Sequence, residues 1–216
     1  MMQFPLPLAL PETAEDHDFL VSTSNERAAN QLRRWGAWPV MAALLVGPRK
    51  SGRSLLGRIF ARQSGGKVID DAERRPESEL FHAWNDAQAA RKPLLIIADA
   101  PPPEWAVALP DLRTRLLASP LLAIEAPDDG LARGLFERQF LRRGLDARPE
   151  LIDWLVARTD RDHVTLLRTV DALEQAALMH RKRLSIPFAR ATLGEAGLMR
   201  PRPDQPDSAQ PETAQP

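Results

Sequence analysis

The run Gly47-Pro48-Arg49-Lys50-Ser51-Gly52-Arg53-Ser54 has the residue types and spacing needed to hold a phosphate. It follows the apolar run Met41–Val46 and precedes a helical pattern with Leu55, Leu56, Ile59 and Phe60 on one side. Buried strand, glycine-bounded loop and helix, in that order, are the context of a P-loop. Gly47 and Gly52 permit backbone angles that other residues avoid. Loop amides and the helix N-terminus can then face an anion. Ser54 stands where a P-loop hydroxyl holds Mg²⁺, and Arg53 stands where the pattern has lysine. A lysine is a compact point charge, whereas arginine is a larger planar fork. That difference bears on turnover more than on the shape of the loop.

Further candidates lie on either side. In Lys67-Val68-Ile69-Asp70-Asp71-Ala72-Glu73, an apolar pair runs into two acids. This is the form of a Walker B strand end, which offers carboxylates to Mg²⁺ and water; a strand end with a polar turn reads the same way. Leu109-Pro110-Asp111-Leu112 leads into a short helix with Arg113 and Arg115. Two residues apart on a helix, these arginines cannot share a face. One can reach outward while the other makes local contacts, such as an Arg115–Asp111 pair. At the N-terminus, Gln3, Phe4, Pro5, Leu6, Pro7 and Leu8 form an extended apolar peptide suited to docking in a groove. The four histidines are scattered without metal-ligand spacing, and the tryptophans read as core or interface packing. His180-Arg181-Lys182-Arg183 reads as a solvated helix end, with weak DNA contact as the lesser alternative.

These residues need elements to position them. The chain has 216 residues, no cysteine and a formal net charge of zero. Disulfides and thiolate chemistry are therefore excluded, and no global basic field draws the chain to nucleic acid. No apolar run has membrane-spanning length and the N-terminus lacks a secretory pattern, so a cytoplasmic chain is expected. Residues 1–12 predict a flexible arm. Ser24 is expected to cap a helix through about Trp35, ended by Gly36 and Pro39. Ser78 or a neighbour starts a helix through Ala90, with Leu80, Phe81, Trp84 and Ala87 inward. Pro93–Ala100 is a near-continuous apolar strand suited to the centre of a parallel sheet, and Leu121–Ile124 is a further strand. Residues 13–126 thus read as an α/β domain. From 127 to 197 the pattern is all-helical: Asp128 or Asp129 to Arg142, Pro149–Arg158, Asp162–His180, and Ile186–Leu193. Residues 198–216 are rich in proline and acid and are expected to be disordered.

A P-loop α/β domain with a small helical lid resembles an AAA+ module. Ile69-Asp70-Asp71-Ala72-Glu73, Leu109–Leu116, and Arg183-Leu184-Ser185-Ile186-Pro187-Phe188 are similar to stretches of the Hda family, DnaA-related regulators of bacterial replication initiation. Gln3–Leu8 resembles that family's sliding-clamp-binding motif. The resemblance implies that Gln3, Phe4, Leu6, Pro7 and Leu8 dock on the DNA polymerase III sliding clamp. It implies that Gly47–Ser54 hold ADP or ATP, with Ser54 and Asp70 toward Mg²⁺. Asp70 and Asp71 would be the Walker B acids, and Arg115 the arginine finger offered to a neighbouring DnaA. DNA would be met only through the clamp, no membrane is implied, and a homo-oligomer is allowed. Arg53, Ala98-Asp99 and Val164 depart from the family pattern, the last standing where a lid sensor arginine is expected between Arg161 and Arg168. All three touch γ-phosphate sensing. A self-sufficient AAA+ ATPase of clamp-loader type and a nucleotide-free adaptor are the alternatives.

Overall fold

The structure, a computed structural model, describes residues 19–200. The docking residues Gln3, Phe4, Leu6, Pro7 and Leu8, and tail residues 201–216, lie outside the described residues. The chain divides into two compact units. One runs to Leu135 and includes Arg161–Val164; the other comprises Phe136–Asp160 and the chain from Thr165.

The first unit is built on four parallel strands: β1 (Ala42–Val46), β2 (Lys67–Ile69), β3 (Leu94–Ala98) and β4 (Leu121–Ala123). Their spatial order is β2-β3-β1-β4, so β3 lies between the loop-bearing β1 and the acid-bearing β2. Val46 is in register with Ala98, and Ile69 with Ile96. All five residues of β1 and of β3 are buried, as continuous apolar runs on interior parallel strands should be. The strand period of two then sends alternate residues to opposite layers. Leu44, Val46, Ile96 and Ala98 join one core with Leu80, Leu112 and Leu116. Ala43, Leu45, Leu95 and Ile97 join another with Leu32, Leu56 and Phe60. Those layers comprise α3 (Glu77–Ala90) with α4 (Pro110–Ala118), and α1 (Glu26–Arg33) with α2 (Arg53–Ser64).

The expected Ser24 cap is corrected. The N-cap of α1 is Asn25, and its side chain makes no capping bond. Its Oδ1 accepts from the Ser22 amide (2.9 Å) and its Nδ2 donates to the Leu20 carbonyl (2.8 Å), so the side chain is spent on the incoming loop. The helix ends at Arg33, and Trp35 falls in a separate 3₁₀ turn, Trp35–Ala37.

Helices α5 (Asp129–Arg142) and α7 (His163–His180) each contribute to both units. The second unit takes the end of α5, α6 (Pro149–Arg158), the body of α7 and α8 (Ile186–Glu195). It buries Phe136, Phe140, Leu155, Val170, Leu173 and Leu193. Phe136 and Phe140 stack with centroids 6.2 Å apart. Arg143 pairs with Asp171 and Glu174, and Ser185 caps α8 by accepting from the Phe188 amide.

Candidate functional site

Because the strands are parallel, the ends of β1, β2 and β3 share one edge of the sheet. The loop Gly47–Gly52 leaves β1 there and enters α2 through Gly52, whose φ of 89° is left-handed. At Gly47 a Cβ would stand 2.7 Å from the Ile124 carbonyl oxygen, so only glycine lets the backbones approach this closely. Pro48, Arg49 and Lys50 are exposed, with Lys50 itself left-handed at φ 64°. Ser51 is buried, and its Oγ has no hydrogen-bond partner. Ser54 is exposed on the first turn of α2.

Arg53 turns toward β3. Its guanidinium donates to the Ala98 carbonyl and to Asp99 Oδ1. The side chain is only 11% exposed, whereas Asp99 is 55% exposed. Hydrogen bonding to Arg53 holds the Asp99 carboxyl below its ordinary range, outweighing the opposing effect of burial. The Asp99 amide in turn donates to Glu73 Oε1, on the 3₁₀ turn Ala72–Arg74 that follows β2. The acid that meets the loop's arginine is therefore Asp99. Asp70 and Asp71 follow β2, two strand spacings from β1, or about 10 Å across the sheet. Asp70 is half-buried and accepts from the Asp71 amide at 3.0 Å; Asp71 is exposed with φ 52°.

Helix α4 separates its two arginines as helical geometry requires. Arg113 is exposed. Arg115 is half-buried against α3 rather than paired with Asp111. Its guanidinium carbon lies 4.2 Å from the Phe81 ring centroid and 4.8 Å from that of Trp84, and Nη1 donates to Asn85 Oδ1. The Trp84 indole donates to Ser119 Oγ (3.2 Å), which donates to the Arg115 carbonyl (2.9 Å). Glu77 accepts from the Ala108 and Leu109 amides at 2.8 and 2.6 Å, fixing the entry to α4. Neither the Arg53–Asp99–Glu73 chain nor the seat of Arg115 is marked by a sequence motif. The only sequence signal for the seat is the helical spacing of Phe81 and Trp84.

Of the lid residues named from the sequence, Val164 is 39% exposed and Arg168 is exposed. Arg161 pairs with Asp129 at 2.8 Å, both within the first unit. Among the described residues there is no cluster of three or more His, Asp or Glu able to hold a metal, and no helix long and apolar enough to cross a membrane.

The Hda lid-domain family model matches residues 129–193. An uncharacterized protein of Haemophilus influenzae is 31% identical over 118 residues, covering 54% of this chain and 51% of that protein. The chain thus matches about half the length of this curated relative. Domain III of the Thermotoga maritima replication initiation protein DnaA superposes with a TM-score of 0.69 at 14% identity, covering 83% of this chain and 95% of that one. DnaA from Aquifex aeolicus, bound to AMPPCP, superposes with a TM-score of 0.57 at 16% identity, covering 80% and 67%. At such identity these likenesses speak to the fold. The chain thus carries an Hda-type lid match at residues 129–193, following a four-stranded parallel sheet whose fold is like that of DnaA domain III.

Proposed function

We propose that this chain is an Hda-like regulator that binds DnaA and stimulates hydrolysis of the ATP held by DnaA, so lowering replication initiation. The observation that carries this reading is the Hda-type lid at 129–193 joined to a DnaA-like α/β fold. Gln3, Phe4, Leu6, Pro7 and Leu8 tether the chain to the sliding clamp, and DNA is reached through the clamp.

Gly47–Ser54 are the nucleotide-binding residues in this reading, for ADP or ATP. Ser51 Oγ supports it, since a buried hydroxyl without a protein partner inside a loop of exposed cations suits an anionic ligand. Ser54 and Asp70 supply hard oxygen donors of the kind Mg²⁺ takes. When bound, Mg²⁺ neutralises phosphate charge. Intrinsic turnover is weak, because Arg53 replaces the lysine and Val164 the lid arginine. The chain then acts on another protein's nucleotide.

That action falls to Arg115. An arginine supplied in trans stabilises the charge of a transferring phosphoryl group by about 10³- to 10⁵-fold in well-studied systems. Within the chain, Arg115 faces two rings and a neutral amide, partners that a phosphate dianion would outcompete. Its seat on α3 holds the side chain ready until DnaA arrives. The exposure of Arg113 favours a second reading in which that residue is the finger.

The test is ATP hydrolysis by DnaA with DNA-loaded clamp, with and without this protein. Stimulation that requires both the protein and the clamp supports the reading. Equal hydrolysis with and without the protein rejects it, and strong hydrolysis by the protein alone points to the self-sufficient ATPase.

A further inference from the structure

We infer that the Arg53–Asp99 pair is a latch that competes with bound nucleotide, so that this chain keeps its phosphate loop shaped but weakly receptive. The inference rests on reading Gly47–Ser54 as the nucleotide loop and concerns the regulation of that site.

Arg53 sits on the first turn of α2, immediately after the left-handed Gly52, where the loop's cation must stand to meet phosphate. Its fork is already divided between two acceptors at the end of β3, the Ala98 carbonyl and Asp99. The side chain is nearly buried in that position. The backbone at Asp99 is held in place, because its amide is fastened to Glu73. The guanidinium thereby joins helix α2 to the end of β3, and the Asp99 amide joins that end to the turn after β2. A phosphate on the loop and the Asp99 carboxylate cannot both have it. Arginine makes such a latch workable where lysine would not, because the planar fork reaches a carbonyl and a carboxylate together.

Asp99 also carries negative charge near the loop, so plain repulsion of phosphate must be separated from competition for Arg53. A double-mutant cycle does this. ADP with Mg²⁺ is titrated calorimetrically into the full-length parent, Asp99→Asn, Arg53→Ala and the double variant, each checked for a cooperative thermal transition. Losing one charge-assisted hydrogen bond of about 1.4 kcal/mol corresponds to tenfold in affinity. Asp99→Asn should therefore tighten ADP by about tenfold or more in the parent, and by less than about twofold when Arg53 is already alanine. If Asn at 99 does not fold, Asp99→Ser takes its place in the same cycle. Equal tightening in both backgrounds means repulsion and overturns the latch, as does no tightening in the parent, with the loop still a nucleotide site. If no variant binds ADP, the reading of the loop itself fails, and the latch with it.

Discussion

Replacing Arg115 by alanine should cost stability as well as function, and the structure sets the amount. The side chain lies over two aromatic rings at 4.2 and 4.8 Å and donates to Asn85. A cation over a ring at a partly exposed site contributes about 0.5–1 kcal/mol. A hydrogen bond from a charged donor contributes about 1.5 kcal/mol before solvent screening. Arg115 is half-buried, so screening removes part of both. The expected cost is about 1–2 kcal/mol. Arg113→Ala, at an exposed position on the same helix, should stay within about 0.5 kcal/mol. Urea denaturation followed by circular dichroism measures both, and unchanged m-values confirm a common unfolding transition. A double cycle of Arg115→Ala with Asn85→Ala should show a coupling of about 0.5 kcal/mol or more. If Arg115→Ala costs less than about 0.5 kcal/mol, or no more than Arg113→Ala, the seat on α3 is wrong.

Three further outcomes follow from burial, hydrogen bonding and close backbone approach. Burial lowers the pKa of His163 from the ordinary 6.5, outweighing its hydrogen bond to the Glu125 backbone and the charge of Asp162, and its Nε2 has no partner. The unfolded chain therefore takes up a proton first, and stability should fall as pH drops below about 6.5; His163→Gln should flatten that slope in denaturation curves at pH 7 and pH 5, and an unchanged slope would discount the residue. Burial raises the pKa of Asp128, but hydrogen bonds from Thr23, Leu131, Ser22 and Ser24 prevail and bring it to about 2. Its contribution is present above about pH 4 and lost toward pH 2, so Asp128→Asn should remove that part of the acid dependence of the melting temperature. Gly47→Ala should cost about 2 kcal/mol or more in urea, because its Cβ would press on the Ile124 carbonyl oxygen, which is backbone and cannot swing aside; a cost under about 0.5 kcal/mol would refute that clash.

Much of this fold was readable from local pattern. The apolar runs that became β1 and β3 announced interior parallel strands, since a strand covered on both faces needs no polar alternation. Proline at the start of α4, α6 and α8 marked first turns that need no amide donor. The loop between β1 and α2 was legible because its bounding glycines and the flanking apolar runs are adjacent in sequence. The cap of α1 was not, because Asn25 uses its side chain on Leu20 and Ser22 instead of the helix. Arg53 meets Asp99 across 46 positions only because β3 inserts between β1 and β2, and strand order is a property of the whole sheet. The seat of Arg115 was hidden for the same reason. Helical spacing turned Phe81 and Trp84 inward, but only the packing of α4 on α3 makes those rings a platform for an arginine.

The most direct measurement is single-turnover hydrolysis of ATP bound to DnaA, with DNA-loaded clamp and equal amounts of folded parent, Arg115→Ala or Arg113→Ala. The parent and Arg113→Ala should accelerate hydrolysis alike. Arg115→Ala should lose nearly all of the acceleration at a temperature where it remains folded. Full acceleration by Arg115→Ala would contradict a trans-acting role for Arg115, and loss confined to Arg113→Ala would move that role to the exposed arginine.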